Sequence, residues 1–125
     1  MKNINIGEAE LEIMKVIWKS KSPLTSVDIG LEVAQRGWKK TTIATFLTRL
    51  TEKGALKAEK LGNLYYYSPG ITENEYKRSQ IKNLVKTLYN GSAREFALSF
   101  FDEKMLSDKD IEELQAVFDE WEEQV

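Results

Sequence analysis

Cysteine and histidine are both absent from the 125-residue chain. The first absence excludes disulfides, thiolate metal sites and thiol nucleophiles. The second removes the commonest general base at neutral pH and the commonest transition-metal ligand. Ser92, Ser99 and Ser107 therefore have no histidine to activate them, and no glycine-rich phosphate cradle is present. The chain is expected to be no enzyme and to carry no cofactor or metal. Long apolar runs are missing too. No stretch approaches the roughly 18 apolar residues of a membrane-spanning helix, and Met1-Lys2-Asn3-Ile4-Asn5 does not open a secretory leader, so a cytoplasmic location is expected. Proline is limited to Pro23 and Pro69, and both fall where the helical patterning breaks.

What is present suits a chain that folds. Hydrophobic residues make up 42% and charged residues 30%, enough for one compact module with a helical extension but short for two independent cores. The net charge of -2 hides an asymmetry. Residues 1–70 carry 11 Lys/Arg against 7 Asp/Glu, whereas residues 71–125 carry 7 against 13. A basic front half on an acidic whole fits a protein whose front half alone meets a polyanion.

Gly7-Glu8-Ala9-Glu10, followed by Leu11, Met14, Ile17 and Trp18, predicts a first helix with Glu10 placed to suit its dipole. Thr25-Ser26-Val27-Asp28 has the hydroxyl-then-carboxylate spacing of a capping box and starts a second helix, running to about Gln35 with Arg36-Gly37 as its stop. After Trp38, the residues Ile43, Phe46, Leu47 and Leu50 fall at i, i+3, i+4 and i+7, the apolar stripe of a third helix closed by Lys53-Gly54. Leu56-Lys57-Ala58-Glu59-Lys60 and Leu64-Tyr65-Tyr66-Tyr67, joined through Gly62, predict a hairpin. In the tyrosine run, strand alternation turns Tyr66 away from its neighbours, and core packing is expected rather than base stacking. Trp18, Trp38 and Phe46 are expected in the core or as staples.

The fold class is thus mainly α with a small β-hairpin: a winged helix-turn-helix over residues 1–70, then a three-helix dimerisation segment over residues 71–125, the boundary set by Ser68-Pro69-Gly70. The rear helices carry Leu84, Leu88, Phe96, Phe100, Phe101, Ile111, Leu114, Phe118 and Trp121. Helices of this size cannot bury so many apolar groups alone, and a homodimer is the commonest solution.

The third helix holds the main functional signal. Opposite its apolar stripe lie Thr41, Thr42, Ala44, Thr45, Thr48 and Arg49, framed by Lys39 and Lys40. An ordinary surface helix would more typically carry Glu and Lys pairs than a row of threonines, which are poor helix formers. In the major groove such a face makes sense. Hydroxyls reach base edges or phosphates, Thr and Ala methyls meet the thymine methyl, and Arg forks onto guanine or phosphate. Lys57, Lys60 and Asn63 on the hairpin can follow a phosphate backbone, or can equally keep a solvated edge from aggregating. The tail carboxylates Asp119, Glu120, Glu122 and Glu123 read as a solvated face.

Glu10-Leu11-Glu12-Ile13-Met14 with Ile17-Trp18, then Trp38 with Thr42, Thr45, Thr48-Arg49-Leu50 and Lys53-Gly54, then the tyrosine-rich strand, strongly resembles the penicillinase-repressor (BlaI/MecI/CopY) family over nearly the whole chain. The resemblance implies a homodimeric repressor on an inverted-repeat operator of double-stranded DNA, controlling β-lactam resistance or cell-envelope genes. It places Thr42 and Thr45 as groove contacts, Thr48 and Arg49 near phosphate, and the wing from Lys60 to Asn63 as a backbone clamp. It also implies a membrane sensor that triggers repressor proteolysis. The family's Asn-Phe cleavage pair aligns with Ser99-Phe100, a departure at the point that proteolysis needs. Thr41 and Ala44 stand where methicillin and penicillinase types carry longer or basic side chains, which implies a different operator preference. Copper sensing through a cysteine-rich tail is excluded by the absence of cysteine. One alternative function is a winged-helix protein-interaction module without DNA binding, in which the threonine face docks a partner. Another is a helical enzyme built on carboxylates such as Glu8 or Glu10.

Overall fold

The computed structural model describes residues 4–123, with side chains described over 4–120. Six helices and one hairpin follow in the order α1 (Glu8–Lys19), α2 (Ser26–Glu32), α3 (Lys40–Glu52), β1 (Leu56–Leu61), β2 (Leu64–Pro69), α4 (Glu73–Leu88), α5 (Ala93–Asp102) and α6 (Asp108–Glu123). This is the mainly α architecture with a hairpin wing that the patterning predicts. The second helix is shorter than expected. It ends at Glu32 and tightens into a 3-10 turn over Ala34–Arg36, stopped by Gly37 in the left-handed region at φ 68°.

Local chemistry sets most of the helix starts. The Thr25 hydroxyl accepts the Asp28 N–H and the Asp28 carboxylate accepts the Thr25 N–H, at 3.2 and 3.0 Å. Thr72 with Glu75 and Ser107 with Asp110 repeat this reciprocal box, and Ser92 caps α5 through the Glu95 N–H. At the end of α3, Gly54 takes φ 85°, which lets the Ala55 N–H reach the Leu50 carbonyl and the Gly54 N–H reach that of Thr51. This pair of bonds is a Schellman closure, and it turns Ala55 and Leu56 into the core.

Three of the cap carboxyls lie below their ordinary values, Asp28 and Asp110 below 3.8 and Glu75 below 4.5, chiefly because the cap N–H bonds to the carboxylate. A depressed folded value means that the stabilisation is complete above the ordinary values and is lost as pH falls through the depressed ones. Thermal melts should therefore hold a constant Tm down to about pH 5 and lose it progressively below about pH 4. A Tm unchanged at pH 3 would contradict this.

Chain contacts divide the molecule into two compact units, Met1–Gln80 and Ile81–Val125. In the first, Ile13, Met14 and Ile17 of α1 pack with Ile29, Val33, Ile43, Leu47 and Leu50, and the cluster extends to Ile4, Ile6, Ile71 and Tyr76. The division falls inside α4, ten residues beyond the break read at Ser68-Pro69-Gly70. The reason is packing. The Trp18 indole N–H donates to the Ile71 carbonyl at 2.9 Å, its ring lies 5.8 Å from that of Tyr76, and Ile71, Tyr76 and Ser79 are buried. Gly70 makes the close pass that brings this segment back. Its N–H donates to the Ala55 carbonyl at 2.8 Å, and a Cβ there would collide with the Gly54 carbonyl oxygen.

The wing pairs Leu56 with Pro69 through Leu61 with Leu64, and Gly62 opens its two-residue loop at φ 64°. A third extended residue, Leu24, bridges the other edge of β2: its N–H donates to Tyr67 and its carbonyl accepts from Tyr67, at 3.0 and 2.7 Å. Tyr67 packs on the core as expected, whereas Tyr65, beyond the reach of the helices near the turn, is 51% exposed and lies under the Lys60 ammonium at 5.9 Å. Core packing therefore holds for Tyr67 and not for Tyr65.

The second unit is built differently. Among its described side chains none is buried, while Ile81, Leu84, Leu88, Leu98, Phe101, Met105, Ile111, Leu114, Val117 and Phe118 are exposed. Within it Tyr89, Phe96 and Phe100 form a run of edge-to-face contacts at 5.5 and 5.1 Å. The Trp121 side chain lies outside the described residues.

Candidate nucleic-acid interface

Helix α3 sits on the first unit with Ile43, Leu47 and Leu50 buried and Phe46 half-buried against Trp38, the two rings meeting edge-on at 5.2 Å. The stripe fixes what faces out: Thr41, Ala44, Thr45, Thr48 and Arg49 are exposed, and Thr42 is half-buried on the flank. Five of the six residues read from sequence are thus brought onto one free surface, and Thr42 only partly so. Glu52 continues the outward row one turn beyond Thr48 and is exposed. It places an acid at the C-terminal end of the hydroxyl face, which the sequence reading passed over.

The hydroxyls are not free rotors. Thr45 donates to the Thr41 carbonyl and Thr48 to that of Ala44, both at 2.9 Å. With the hydroxyl protons committed to the helix, each side chain offers outward a methyl and an oxygen that can still accept.

The N-terminus of α3 carries Lys39 at the cap and Lys40 in the first turn, both exposed, with no side-chain cap bond. Every other helix has a hydroxyl or carboxylate bonded at its start. Open N–H groups and two ammonium groups make this end electropositive. Just before it, the Arg36 guanidinium lies 4.9 Å over the Trp38 ring and 3.1 Å from Glu12.

On the wing, Lys57, Lys60 and Asn63 are all exposed, but alternation separates them. Lys60 pairs with Tyr65 and shares its face with Ala58 and Tyr67, while Lys57 pairs with Ser68 on the opposite face. At most one of the two lysines can face a given surface with the side of the wing that bears Tyr67.

Glu10 and Lys53 form a contact that the sequence reading did not foresee. Glu10 is 7% exposed, and its Oε1 accepts from both the Gly7 N–H at 2.9 Å and the Lys53 ammonium at 2.7 Å. Burial pushes its carboxyl up, but the Lys53 bond, the Gly7 N–H and the charges of Lys53 and Arg49 outweigh this and hold it below 4.5. The only signal in the sequence was a glutamate on the buried side of α1, adjacent to the stripe of Ile13, Met14 and Ile17.

Ser99 and Phe100 lie inside α5, half-buried, with the Ser99 hydroxyl donating to the Phe96 carbonyl at 2.6 Å. No helix among the described residues is long and apolar enough to cross a membrane. No group of three or more acidic side chains among them is placed to hold a metal ion.

The family model described as penicillinase repressor matches residues 6–120. The penicillinase repressor of Bacillus licheniformis is 38% identical over 121 residues, covering 96% of this chain and 94% of the relative. The methicillin resistance regulatory protein MecI of Mammaliicoccus sciuri is 32% identical over 116 residues, covering 93% and 94%. Among solved structures, the monomeric form of Bacillus licheniformis BlaI in complex with the blaP half-operator is 42% identical, with a TM-score of 0.51, covering 60% of this chain and 92% of that one.

Proposed function

The chain belongs to the penicillinase repressor family, and we infer that it is a sequence-specific DNA-binding repressor of transcription, not an enzyme, working as a homodimer on an inverted-repeat operator. The observation that carries the reading is the outward face of α3: small and hydroxylated from Thr41 to Thr48, and electropositive at its N-terminal end. The solved BlaI complex with a half-operator supports it.

In this reading α3 lies in the major groove. Thr41, Ala44, Thr45 and Thr48 meet base edges, with Thr42 at the margin. Lys39, Lys40 and the open first turn of α3 hold phosphate, and Arg49 holds it further along. Glu52 repels the backbone and so limits the groove-facing stretch to the turns before it. Lys60 and Asn63 clamp the duplex from the wing, and Lys57, on the other face, adds only long-range attraction. Thr41 and Ala44 let the helix come closer than longer side chains would, which sets the operator preference.

Residues 81–125 supply the dimer. A unit with no buried described side chain and ten exposed large apolar groups needs a second surface to cover them, and a second copy also provides the second α3 that an inverted repeat requires. Leu84, Leu88, Phe96, Phe100, Phe101, Ile111, Leu114 and Phe118 are assigned to that interface. The controlled genes are assigned to β-lactam resistance, after the relatives' names, with cell-envelope genes as the alternative. Proteolysis at Ser99-Phe100 in response to a membrane sensor would require α5 to unwind locally first, because a helical backbone does not fit an extended protease cleft.

Equilibrium binding to duplex DNA tests the reading. Affinity should fall steeply with salt, and Arg49→Ala should weaken binding to all sequences and flatten the log–log salt slope by about 1. A protein-interaction module would show no salt-sensitive duplex binding. Light scattering at micromolar protein should return twice the 14.4 kDa chain mass. A monomer would remove the dimer assignment.

A further inference from the structure

The DNA-binding reading leaves one buried charged group unused, Glu10. Its Oε1 is occupied by Gly7 and Lys53, but its Oε2 is buried and has no hydrogen-bond partner among the described residues. A buried carboxylate oxygen without a donor is costly where water is excluded. Two cations stand nearby. Lys53 already bonds to Oε1, and Arg49 sits one turn back on α3, at i and i+4, close enough for its charge to act on the carboxyl. Arg49 is exposed and makes no ion pair among the described residues.

We propose that Glu10 is a positioning residue for DNA: on the duplex its free Oε2 receives the guanidinium of Arg49 while Oε1 keeps Lys53, so that both cations turn their remaining donors to one stretch of phosphate backbone. The inference rests on the DNA-binding reading and adds Glu10 and Lys53 to it. Arginine can serve two anions at once, because its planar fork presents donors along two edges. Lysine retains two N–H donors after bonding to Glu10. The order is then carboxylate, paired cations, phosphate, with each cation between two anions. Without DNA, Arg49 gains little by leaving water. Once phosphate excludes that water, the carboxylate behind it fixes its direction.

Glu10→Gln separates this from a purely structural pair, since glutamine keeps an oxygen for Gly7 and Lys53 and removes only the charge. Deleting a negative charge beside a polyanion should tighten binding if charge alone matters. Positioning requires the opposite. Affinity for an inverted-repeat duplex selected by the protein from a random pool should fall about tenfold, with the salt slope flattened by about 1. In an Arg49→Ala background the same change should have no further effect. Binding that tightens or stays level with Glu10→Gln overturns the inference. Should that variant not fold, Arg49→Lys on the exposed face serves instead: it keeps the charge but not the fork, so an unchanged affinity overturns the inference. Absence of duplex binding by the unsubstituted chain would overturn the DNA-binding reading as well, which distinguishes the two failures.

Discussion

Thr45→Glu should lower affinity for operator duplex by about a hundredfold or more, because like charges brought together across an interface cost several kcal/mol. Thr45 is exposed in the middle of the outward row of α3, one turn from both Thr41 and Thr48. A carboxylate there would stand among base-edge acceptors and close to phosphate on either wall of the groove. Nothing in the core changes. The threonine hydroxyl bond to the Thr41 carbonyl is lost, but glutamate is the better helix former, so Tm should move by no more than a few degrees. Binding measured by fluorescence anisotropy, alongside a thermal melt, checks both halves. A variant that binds as well as the parent would remove α3 from the interface.

The converse substitution is Leu47→Ala. Leu47 is fully buried on the opposite side of the same helix, between Ile43 and Leu50, and its truncation should cost about 2 to 5 kcal/mol of unfolding free energy. That is a large part of the 5–15 kcal/mol on which a small domain depends. Denaturant melts should show an earlier midpoint, with DNA binding lost in proportion to the unfolded fraction. Together the two variants divide α3 into a face that binds and a face that holds. A Leu47→Ala variant with parental stability would contradict the described core.

The reason α3 was legible in the sequence is that both of its faces are coded locally. The apolar spacing of Ile43, Phe46, Leu47 and Leu50 and the glycine at its end are short-range signals, and the capping boxes at Thr25 and Ser107 are read the same way. What was not legible is what distant segments decide. Leu24 follows a proline and has no strand around it, so nothing nearby announces that β2 will bridge to it. The unit boundary moved because Trp18 binds the Ile71 carbonyl 53 residues away, overriding the Ser68-Pro69-Gly70 punctuation. Tyr65 and Tyr67 share a strand face, yet only Tyr67 lies close enough to the helices to be covered. At the site, the threonine row was readable, and the hydroxyl bonds that fix its outward chemistry form within α3, each to the carbonyl four residues back; the Glu10 contact with Lys53 depends on geometry across elements.

In the proposed function, the outward face of α3 reads DNA sequence. Selection of binding sites from a random duplex pool, run in parallel with the parent chain and with Ala44→Asn, tests it most directly. The parent should enrich a two-fold symmetric motif whose half-sites are separated by about one helical turn or a multiple of it. Ala44→Asn should keep that symmetry and shift the preference toward adenine at one symmetric pair of positions, since asparagine bonds adenine through two contacts. A pool without an enriched motif, or a motif identical for the two proteins, would contradict this role of α3.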